Sequence, residues 1–283
     1  MPPLHVNPQE INPSTIPLLS LTPSNPNLLG TGSIGTVLKQ DENTAIKIPK
    51  RLACTSPAEI NENIAALHHE QEVYKRLSEC PGVVKVVSTT PATITFELMR
   101  NNSLENWLQL CKKRQRERPS REMQMRWFRE IARGLANIHR RGVVVVDIAK
   151  RNLLLDEGLG VKFCDFDRAR IFPLDGDTQG GEDVHGDVRE REIHDPENEY
   201  SVRTDIARVG WVMFSVMSEL EDKGTGRERD DTRGLWLGWI VDKCWRMEAY
   251  RDAGELVEEL EGIDVSDRWE SDSMDESASR MVR

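Results

Sequence analysis

The sequence has 283 residues, of which 38% are hydrophobic and 30% are charged. A chain of this length buries a substantial core, and its composition is typical of a globular protein rather than a fibrous one. The formal net charge of -10 at pH 7 repels phosphate backbones and anionic lipids, so neither nucleic acid nor a membrane is expected as a partner.

The cysteines and the N-terminus bear on the compartment. The five cysteines are scattered and include no C-x-x-C pair, a usage that favours a reducing environment. The chain starts without the basic residues and apolar run of a signal peptide, and the apolar stretch 211–217 is too short to span a bilayer. We therefore expect an intracellular protein, cytoplasmic or nuclear, and the sequence predicts no particular oligomeric state.

The two ends of the chain differ in composition from its middle. Residues 1–26 are rich in Pro, Asn and Ser without a hydrophobic period, and residues 263–283 are polar and acidic. Both segments are predicted to be disordered because they contain too little apolar surface to offset chain entropy. Residues 27–262 are predicted to form the folded domain.

The first predicted element is a strand, a glycine-rich turn and a second strand over residues 28–38. The turn matches G-x-G-x-x-G-x-V, whose glycines allow backbone N–H groups to approach phosphates without a Cβ in the way. A glycine-rich hairpin without a ligand explains this motif equally well when it is taken alone. The candidate nucleotide-binding residues here are Gly30, Gly32, Ser33, Gly35 and Val37.

A strand over residues 44–48 follows, and its alternation places Ala45 and Lys47 on one face. Ala45 would lie under a flat base and Lys47 would point towards phosphate. A lone strand lysine is usually a solvated surface charge, but the neighbouring glycine turn favours the nucleotide-binding interpretation. Further strands are predicted over 83–87 and 93–98.

The helix predicted over residues 60–77 supplies a carboxylate to pair with Lys47. Glu70 is the candidate because apolar residues follow it by three, four and seven positions, so that it borders the buried face. Glu72 as the partner, or a merely solvated Glu70, remains an alternative.

The second half of the chain is predicted to be mainly helical. Apolar residues recur at helical spacing from Met123 to Ile138 and predict one long helix. The basic run 112–118 is interpreted as a solvated loop between helices, and the acidic, Gly-containing segment 174–200 as a mobile surface loop.

Two motifs in this half indicate phosphoryl transfer. Asp147 and Asn152 form D-x-x-x-x-N, and Asp165 follows in Asp-Phe-Asp. Phosphoryl transfer needs a group that orients the attacking hydroxyl and oxygen ligands that hold Mg²⁺, and these three side chains supply both. Each of them alone could be a turn former or a cap, but their shared order favours one common site.

With the glycine turn and Lys47, these motifs resemble the eukaryotic protein-kinase family over about residues 28–260. The resemblance implies an α+β, two-lobed fold with a small β-rich N-lobe over 27–98 and a mainly helical C-lobe over 101–262. It also implies an enzyme of Ser/Thr or dual specificity that uses ATP and Mg²⁺ to phosphorylate a hydroxyl of an unidentified protein.

The family likeness also implies roles for individual residues. Asp147 would orient the hydroxyl or act as base, Asn152 and Asp165 would bind metal, and Asp205 would anchor the loop that carries Asp147. Lys150 and Arg151 would contact the substrate or the γ-phosphate. The Glu97 carbonyl and the Met99 amide would meet adenine, with Phe96 at the rear of the pocket.

The sequence departs from the family pattern at three places. Val145 and Val146 replace the usual His-Arg before Asp147, which removes the arginine that would receive a phosphate from the activation segment. Asp167 replaces the glycine of Asp-Phe-Gly and removes φ freedom, and Ala149 makes the loop resemble those of tyrosine kinases. A pseudokinase that serves as a nucleotide-binding or scaffolding module is therefore the alternative. A small-molecule kinase is disfavoured by the glycine turn.

Overall fold

The computed structural model describes residues 16, 26–174, 200–220 and 231–265, and the backbone alone of 194–195. The N-lobe is one antiparallel five-stranded sheet in the order β1-β2-β3-β5-β4. Its strands are β1 (Leu28–Thr31), β2 (Gly35–Lys39), β3 (Thr44–Pro49), β4 (Val86–Thr90) and β5 (Thr93–Glu97). A single helix, α1 (Pro57–Arg76), is inserted between β3 and β4.

Helix α1 begins three residues before the predicted start because its N-terminus is capped. The Ser56 side chain accepts from the Glu59 backbone N–H, and the Glu59 carboxylate accepts from the Ser56 N–H, which forms a capping box. Pro57 occupies the first turn, where a missing N–H costs nothing. The cap fixes where the helix starts and therefore the register of every later residue in it.

The C-lobe is mainly helical. Its helices are α2 (Leu104–Lys112), α3 (Arg121–His139), α4 (Val202–Leu220), α5 (Gly238–Trp245) and α6 (Ala253–Glu261). Short antiparallel strands form the pairs β6–β9, β7–β8 and β10–β11. They are β6 (Val143–Val144), β7 (Leu153–Leu155), β8 (Val161–Phe163), β9 (Arg170–Ile171), β10 (His194–Asp195) and β11 (Tyr200–Ser201). The protein thus has the α+β, two-lobed architecture that was predicted.

One hydrophobic core extends through both lobes. It runs from Leu67 and Val73 on α1, through Trp127 and Phe128 on α3, to Leu260 on α6, and all five of these side chains are fully buried. The apolar stripe predicted on α3 faces this core, where α6 packs against it. Because the core is continuous, the lobes are fixed close together at the cleft between them.

The N-terminal segment contributes one side chain to the fold. Ile16 is only 2% exposed and packs against Ile60 and Ile64 of α1, with Ala92 beside them. Arg51 donates a hydrogen bond to its backbone carbonyl. Within the segment 1–26 that was predicted to be disordered, this one aliphatic side chain covers an apolar stripe on α1. Residues 1–15 and 17–25 lie outside the described part of the chain.

The predictions for the other end and for the long loop are only partly covered. Ile263 and Val265 pack against the core at the start of the predicted disordered tail 263–283. The Ile263 carbonyl also accepts a hydrogen bond of 2.7 Å from Arg129. The rest of the tail, and most of the predicted loop 174–200, lie outside the described residues.

The basic run after α2 forms the exposed loop between helices that was predicted, and two of its cations also contact the protein. The Arg116 guanidinium lies 3.8 Å from the centroid of the Trp107 ring. Arg118 donates a hydrogen bond of 2.8 Å to the Leu220 carbonyl. A planar guanidinium stacks on aromatic rings and reaches carbonyls well, so these cations serve the fold. Within the described ranges, no helix has the length and apolar character needed to cross a membrane.

Candidate functional site

A cavity of about 670 Å³ lies between the lobes. This volume is in the range of small-molecule and cofactor sites. The predicted residues that line it are Gly30, Gly32, Ser33, Gly35, Val37, Ala45, Lys47, Glu70, Glu97, Met99, Arg151, Asn152 and Asp165. The structure therefore brings together side chains that are more than 130 positions apart in the sequence.

Lys47 lies at the centre of the polar wall. Its Nζ atom is 2.6 Å from Glu70 Oε2 and 2.6 Å from Asp165 Oδ1. Lys47 is 6% exposed and Glu70 is fully buried. Burial alone would lower the pKa of Lys47, but the facing carboxylates of Glu70 and Asp165 outweigh it and raise that pKa. The lysine is therefore held as a cation.

The alternative partner, Glu72, points elsewhere. Its side chain is 66% exposed and lies 3.7 Å from the Lys75 ammonium on the same helix. Residues two apart on a helix face different directions. The register of α1 therefore places Glu70 and Glu72 on different sides of the helix. The structure thus pairs Lys47 with Glu70 and leaves Glu72 on the surface.

The glycine turn lies above Lys47. A Cβ added at Gly35 would lie 3.1 Å from the Lys47 Cε atom and 3.0 Å from the Ile48 carbonyl oxygen. A side chain at this position would require the lysine or the facing strand to move by a few tenths of an ångström. A Cβ at Gly30 would meet no atom within 4 Å, so this part of the turn borders open space that a ligand could fill.

Asp147 lies beside the cavity on the segment between β6 and β7. Arg151 Nη2 donates to both of its carboxylate oxygens, at 2.8 and 2.7 Å. Asn152 Nδ2 donates to the Asp147 carbonyl at 3.0 Å and to its Oδ2 at 3.3 Å. A 3₁₀ turn over Lys150–Asn152 brings both donors back to Asp147. The amide orientation of Asn152 leaves its Oδ1 as an oxygen suited to a cation.

Asp205 of α4 holds the start of the same segment. Its carboxylate accepts from the N–H groups of Val145 at 2.7 Å and Val146 at 2.9 Å, and it lies 2.9 Å from His139 Nε2. Val146 has a φ of 68°, which is a strained conformation for a β-branched residue. The buried Asp205 therefore stabilises a backbone that Val146 would not adopt alone.

Lys150 is not brought into the cavity. Its ammonium contacts Glu219 Oε1 on α4, whereas the next residue, Arg151, faces Asp147. In a 3₁₀ turn consecutive side chains point about 120° apart, so two adjacent cations diverge. The expected contact of Lys150 with substrate or γ-phosphate therefore has no support in this geometry.

The Asp165-Phe166-Asp167 turn closes the cavity from the C-lobe side. Phe166 is fully buried against Tyr74, with ring centroids 5.1 Å apart, and its N–H donates to Glu70 Oε1 at 3.3 Å. Asp165 has a φ of 64°, whereas Asp167 lies outside the positive-φ region. The turn therefore accommodates a residue other than glycine at position 167 without strain. Burial and the neighbouring Asp165 raise the pKa of Asp167.

The strand-to-helix connection after β5 forms the opposite wall. Phe96 and Tyr74 close its rear, with ring centroids 5.0 Å apart, and Glu97 and Met99 line the cavity. The Glu97 carboxylate accepts from Lys162 Nζ at 2.6 Å, and the Glu97 N–H donates to the Lys85 carbonyl at 3.0 Å.

Sequence reasoning missed several wall residues. Val84, Leu154, Cys164 and Asp167 also line the cavity. Leu154 could have been found, because the alternation in β7 turns it away from its buried neighbours Leu153 and Leu155. Cys164 has no such signal, and burial raises the pKa of its thiol.

The donor set fits a nucleotide that carries a divalent cation. The Asp165 carboxylate and the Asn152 amide provide oxygen ligands of the kind that Mg²⁺ prefers. The described residues contain no cluster of three or more His, Cys, Asp or Glu that would hold a metal without help. Mg²⁺ at this site would therefore need phosphate oxygens to complete its ligands, as expected for a metal bound with a nucleotide.

Comparison with known proteins agrees with this geometry. Residues 24–231 match the family described as "Protein kinase domain". The chain is 28% identical over 236 residues to cysteine-rich receptor-like protein kinase 28 of Arabidopsis thaliana. The aligned residues cover 78% of this chain and 33% of that protein. It is 26% identical over 253 residues to cysteine-rich receptor-like protein kinase 19 of the same plant, covering 82% of this chain and 36% of that protein.

A further similar protein is a putative G-type lectin S-receptor-like serine/threonine-protein kinase of Arabidopsis thaliana. It is 26% identical over 247 residues, which cover 83% of this chain and 27% of that protein. The chain thus spans about a third of the length of the curated relatives it matches. Since the family match covers most of the sequence and the cleft has the corresponding residues, this chain belongs to the protein kinase family.

Proposed function

We propose that this protein transfers the γ-phosphate of ATP, in the presence of Mg²⁺, to a hydroxyl group of another protein. The observation that carries the proposal is the position of Lys47, whose ammonium lies 2.6 Å from both Glu70 and Asp165. A buried cation held between a structural carboxylate and a candidate metal ligand is the arrangement that aligns phosphate oxygens for phosphoryl transfer.

The N-lobe would bind the nucleotide. Ala45 on β3 and Leu154 on β7 both line the cavity, and they would contact the faces of a flat base. The backbone of Glu97 and Met99 would meet its polar edge, and the glycine turn over Gly30–Val37 would cover the phosphates. Lys47 would donate to phosphate oxygens, held in place by Glu70.

The C-lobe would carry out the chemistry. Asn152 and Asp165 would hold Mg²⁺, which neutralises charge on the phosphates. Asp147 would orient the acceptor hydroxyl and accept its proton. Arg151, which now donates to both Asp147 oxygens, would share that carboxylate with the incoming hydroxyl and face the transferring phosphate.

The acceptor is proposed to be serine or threonine, with dual specificity as the broader case. The support is the serine/threonine-protein kinase named among the relatives. Ala149 makes the loop resemble those of tyrosine kinases. The next residue, Lys150, turns towards α4. A peptide array phosphorylated with radiolabelled ATP distinguishes the acceptors by the residue that is labelled.

Transfer of radiolabel from γ-labelled ATP to a protein substrate tests the function. Lys47→Met should abolish transfer, and Asp147→Ala should lower it by about 10²–10⁴-fold because a positioned base is lost. Lys75→Met is the matched control, since Lys75 is an exposed lysine on α1 with a side chain 69% exposed. Equal transfer by the wild type and Lys47→Met would refute the proposal.

The second candidate is a pseudokinase that binds a nucleotide without transferring phosphate. Two observations favour it: Arg151 covers both oxygens of Asp147, and Asp167 adds a carboxylate to the cavity wall. A Mg²⁺-dependent thermal shift with ATP but no radiolabel transfer to any substrate would support this candidate over the first.

A further inference from the structure

Glu219 occupies a position that the proposed function does not use. It lies in the last turn of α4, and its side chain is 23% exposed. Three donors converge on its carboxylate. Lys150 and the Ser215 hydroxyl, the latter at 3.0 Å, reach Oε1, and Lys112 at the end of α2 lies 3.1 Å from Oε2.

The two cations differ in their surroundings. The Lys150 side chain is 13% exposed, whereas that of Lys112 is 51% exposed. Removing the partner of a nearly buried ammonium leaves a charge with poor hydration, while an exposed ammonium remains solvated. Lys150 therefore depends on Glu219 much more than Lys112 does.

Helix α4 contacts the Asp147 segment at two places. At the start of the segment, Asp205 accepts hydrogen bonds from the N–H groups of Val145 and Val146. In the 3₁₀ turn that follows Asp147, Glu219 contacts Lys150. The two acidic residues are fourteen positions apart, about 40° short of four full helical turns, so they share one face over about 21 Å. One rigid helix thus holds both ends of the segment that contains Asp147.

We propose that Glu219 is a positioning residue that acts through Lys150 to fix the turn carrying Arg151 and Asn152. The inference rests on the proposed function, in which this turn orients the hydroxyl and holds the metal. It also explains why Lys150 points away from the cavity: its ammonium fastens the turn to α4 from behind.

A double-mutant cycle tests the pair in the full chain. Glu219→Gln and Lys150→Met should each lower kcat by about 10- to 100-fold, because a small displacement of reacting groups is costly. The KM for ATP should change by less than about twofold, since the N-lobe contacts remain. The double variant should be no slower than either single variant.

Two further variants serve as controls. Lys112→Met removes a cation from the same carboxylate without touching the turn, and it should keep kcat within about twofold of the wild type. Lys150→Arg keeps the charge and the hydrogen bond, and it should restore most of the activity lost in Lys150→Met. A merely structural ion pair would give the same kcat in all folded variants and differences only in melting temperature.

Amide hydrogen exchange separates this inference from the proposed function. Exchange over residues 147–153 should accelerate in Glu219→Gln and Lys150→Met but remain unchanged over residues 93–97 of β5. This readout needs no phosphate transfer, so an inactive wild type would overturn the function and leave exchange to decide the inference. Unchanged exchange at 147–153 in both variants overturns the inference. Additive effects on kcat in the double variant also overturn the inference.

Discussion

The Glu70 carboxylate of α1 lies 2.6 Å from the Lys47 ammonium of β3, and both side chains are buried. The contact makes the position of one helix a condition for the orientation of one lysine. Any change that turns or shifts α1 would therefore alter the cation proposed to face ATP.

Replacing Glu70 is the direct test of this dependence. Glu70→Gln should lower kcat/KM by about 10²-fold or more, because Lys47 is left with Asp165 as its remaining carboxylate and a buried pair is broken. The measurement is ATP-dependent transfer over a range of ATP concentrations. Glu72→Gln, two positions later and exposed, should keep wild-type kinetics, and an equal loss in both variants would contradict the assignment.

Asp205 should be among the most important residues for stability. Asp205→Ala leaves the N–H groups of Val145 and Val146 and the His139 ring without their shared acceptor. Since each buried unsatisfied donor costs about 1–3 kcal/mol, we expect a loss of about 3–5 kcal/mol or more. Urea unfolding followed by tryptophan fluorescence measures it. A loss below about 1 kcal/mol would mean that these bonds contribute little.

Asp167 should weaken the binding of nucleotide that lacks a metal. Its carboxylate lines the cavity beside Asp165, so it repels phosphates that carry no cation. Asp167→Asn should tighten binding of ATP in EDTA by about fivefold, as expected for removal of about 1 kcal/mol of repulsion. Calorimetry gives the affinity. Glu42→Gln, whose side chain is 80% exposed, is the control, and unchanged affinity in Asp167→Asn would show that the repulsion is screened.

The stability that Glu219 provides should depend on pH. Burial alone would raise the pKa of Glu219, but the hydrogen bonds from Lys150, Lys112 and Ser215 outweigh it and lower that pKa. A carboxyl whose pKa is lower in the folded state stabilises the protein above its unfolded pKa of about 4.3 and loses this effect as pH falls through the folded value. The difference in unfolding free energy between wild type and Glu219→Gln should therefore be full at about pH 6 and shrink below about pH 4. Urea titrations at a series of pH values measure it, and a constant difference would contradict the expectation.

The sequence predicted the parts of the site that depend on local order. Lys47 and Glu70 each follow from the periodicity of one element, strand alternation for the lysine and an apolar helical stripe for the glutamate. Asp147, Asn152 and Asp165 follow from the order of the D-x-x-x-x-N and Asp-Phe-Asp motifs and from their resemblance to the protein-kinase family. These choices need no knowledge of what the side chains meet across the fold.

The features that the sequence did not reveal depend on tertiary contacts. The direction of Lys150 is set by a three-residue 3₁₀ turn and by Glu219, which comes 69 positions later. Ile16 is a single aliphatic residue in a polar segment, and only the stripe on α1 explains its burial. Composition cannot anticipate such a contact, because one side chain produces no period.

The burial of Ile16 has a practical consequence for shortened forms of the protein. The family match begins at residue 24 and ends at residue 231, yet Ile16 covers α1 before the first limit and α6 covers α3 beyond the second. A fragment trimmed to those limits would expose aliphatic surface on two helices and would tend to self-associate. Poor solubility of such a fragment would report the missing Ile16 contact and the missing last helices of the C-lobe.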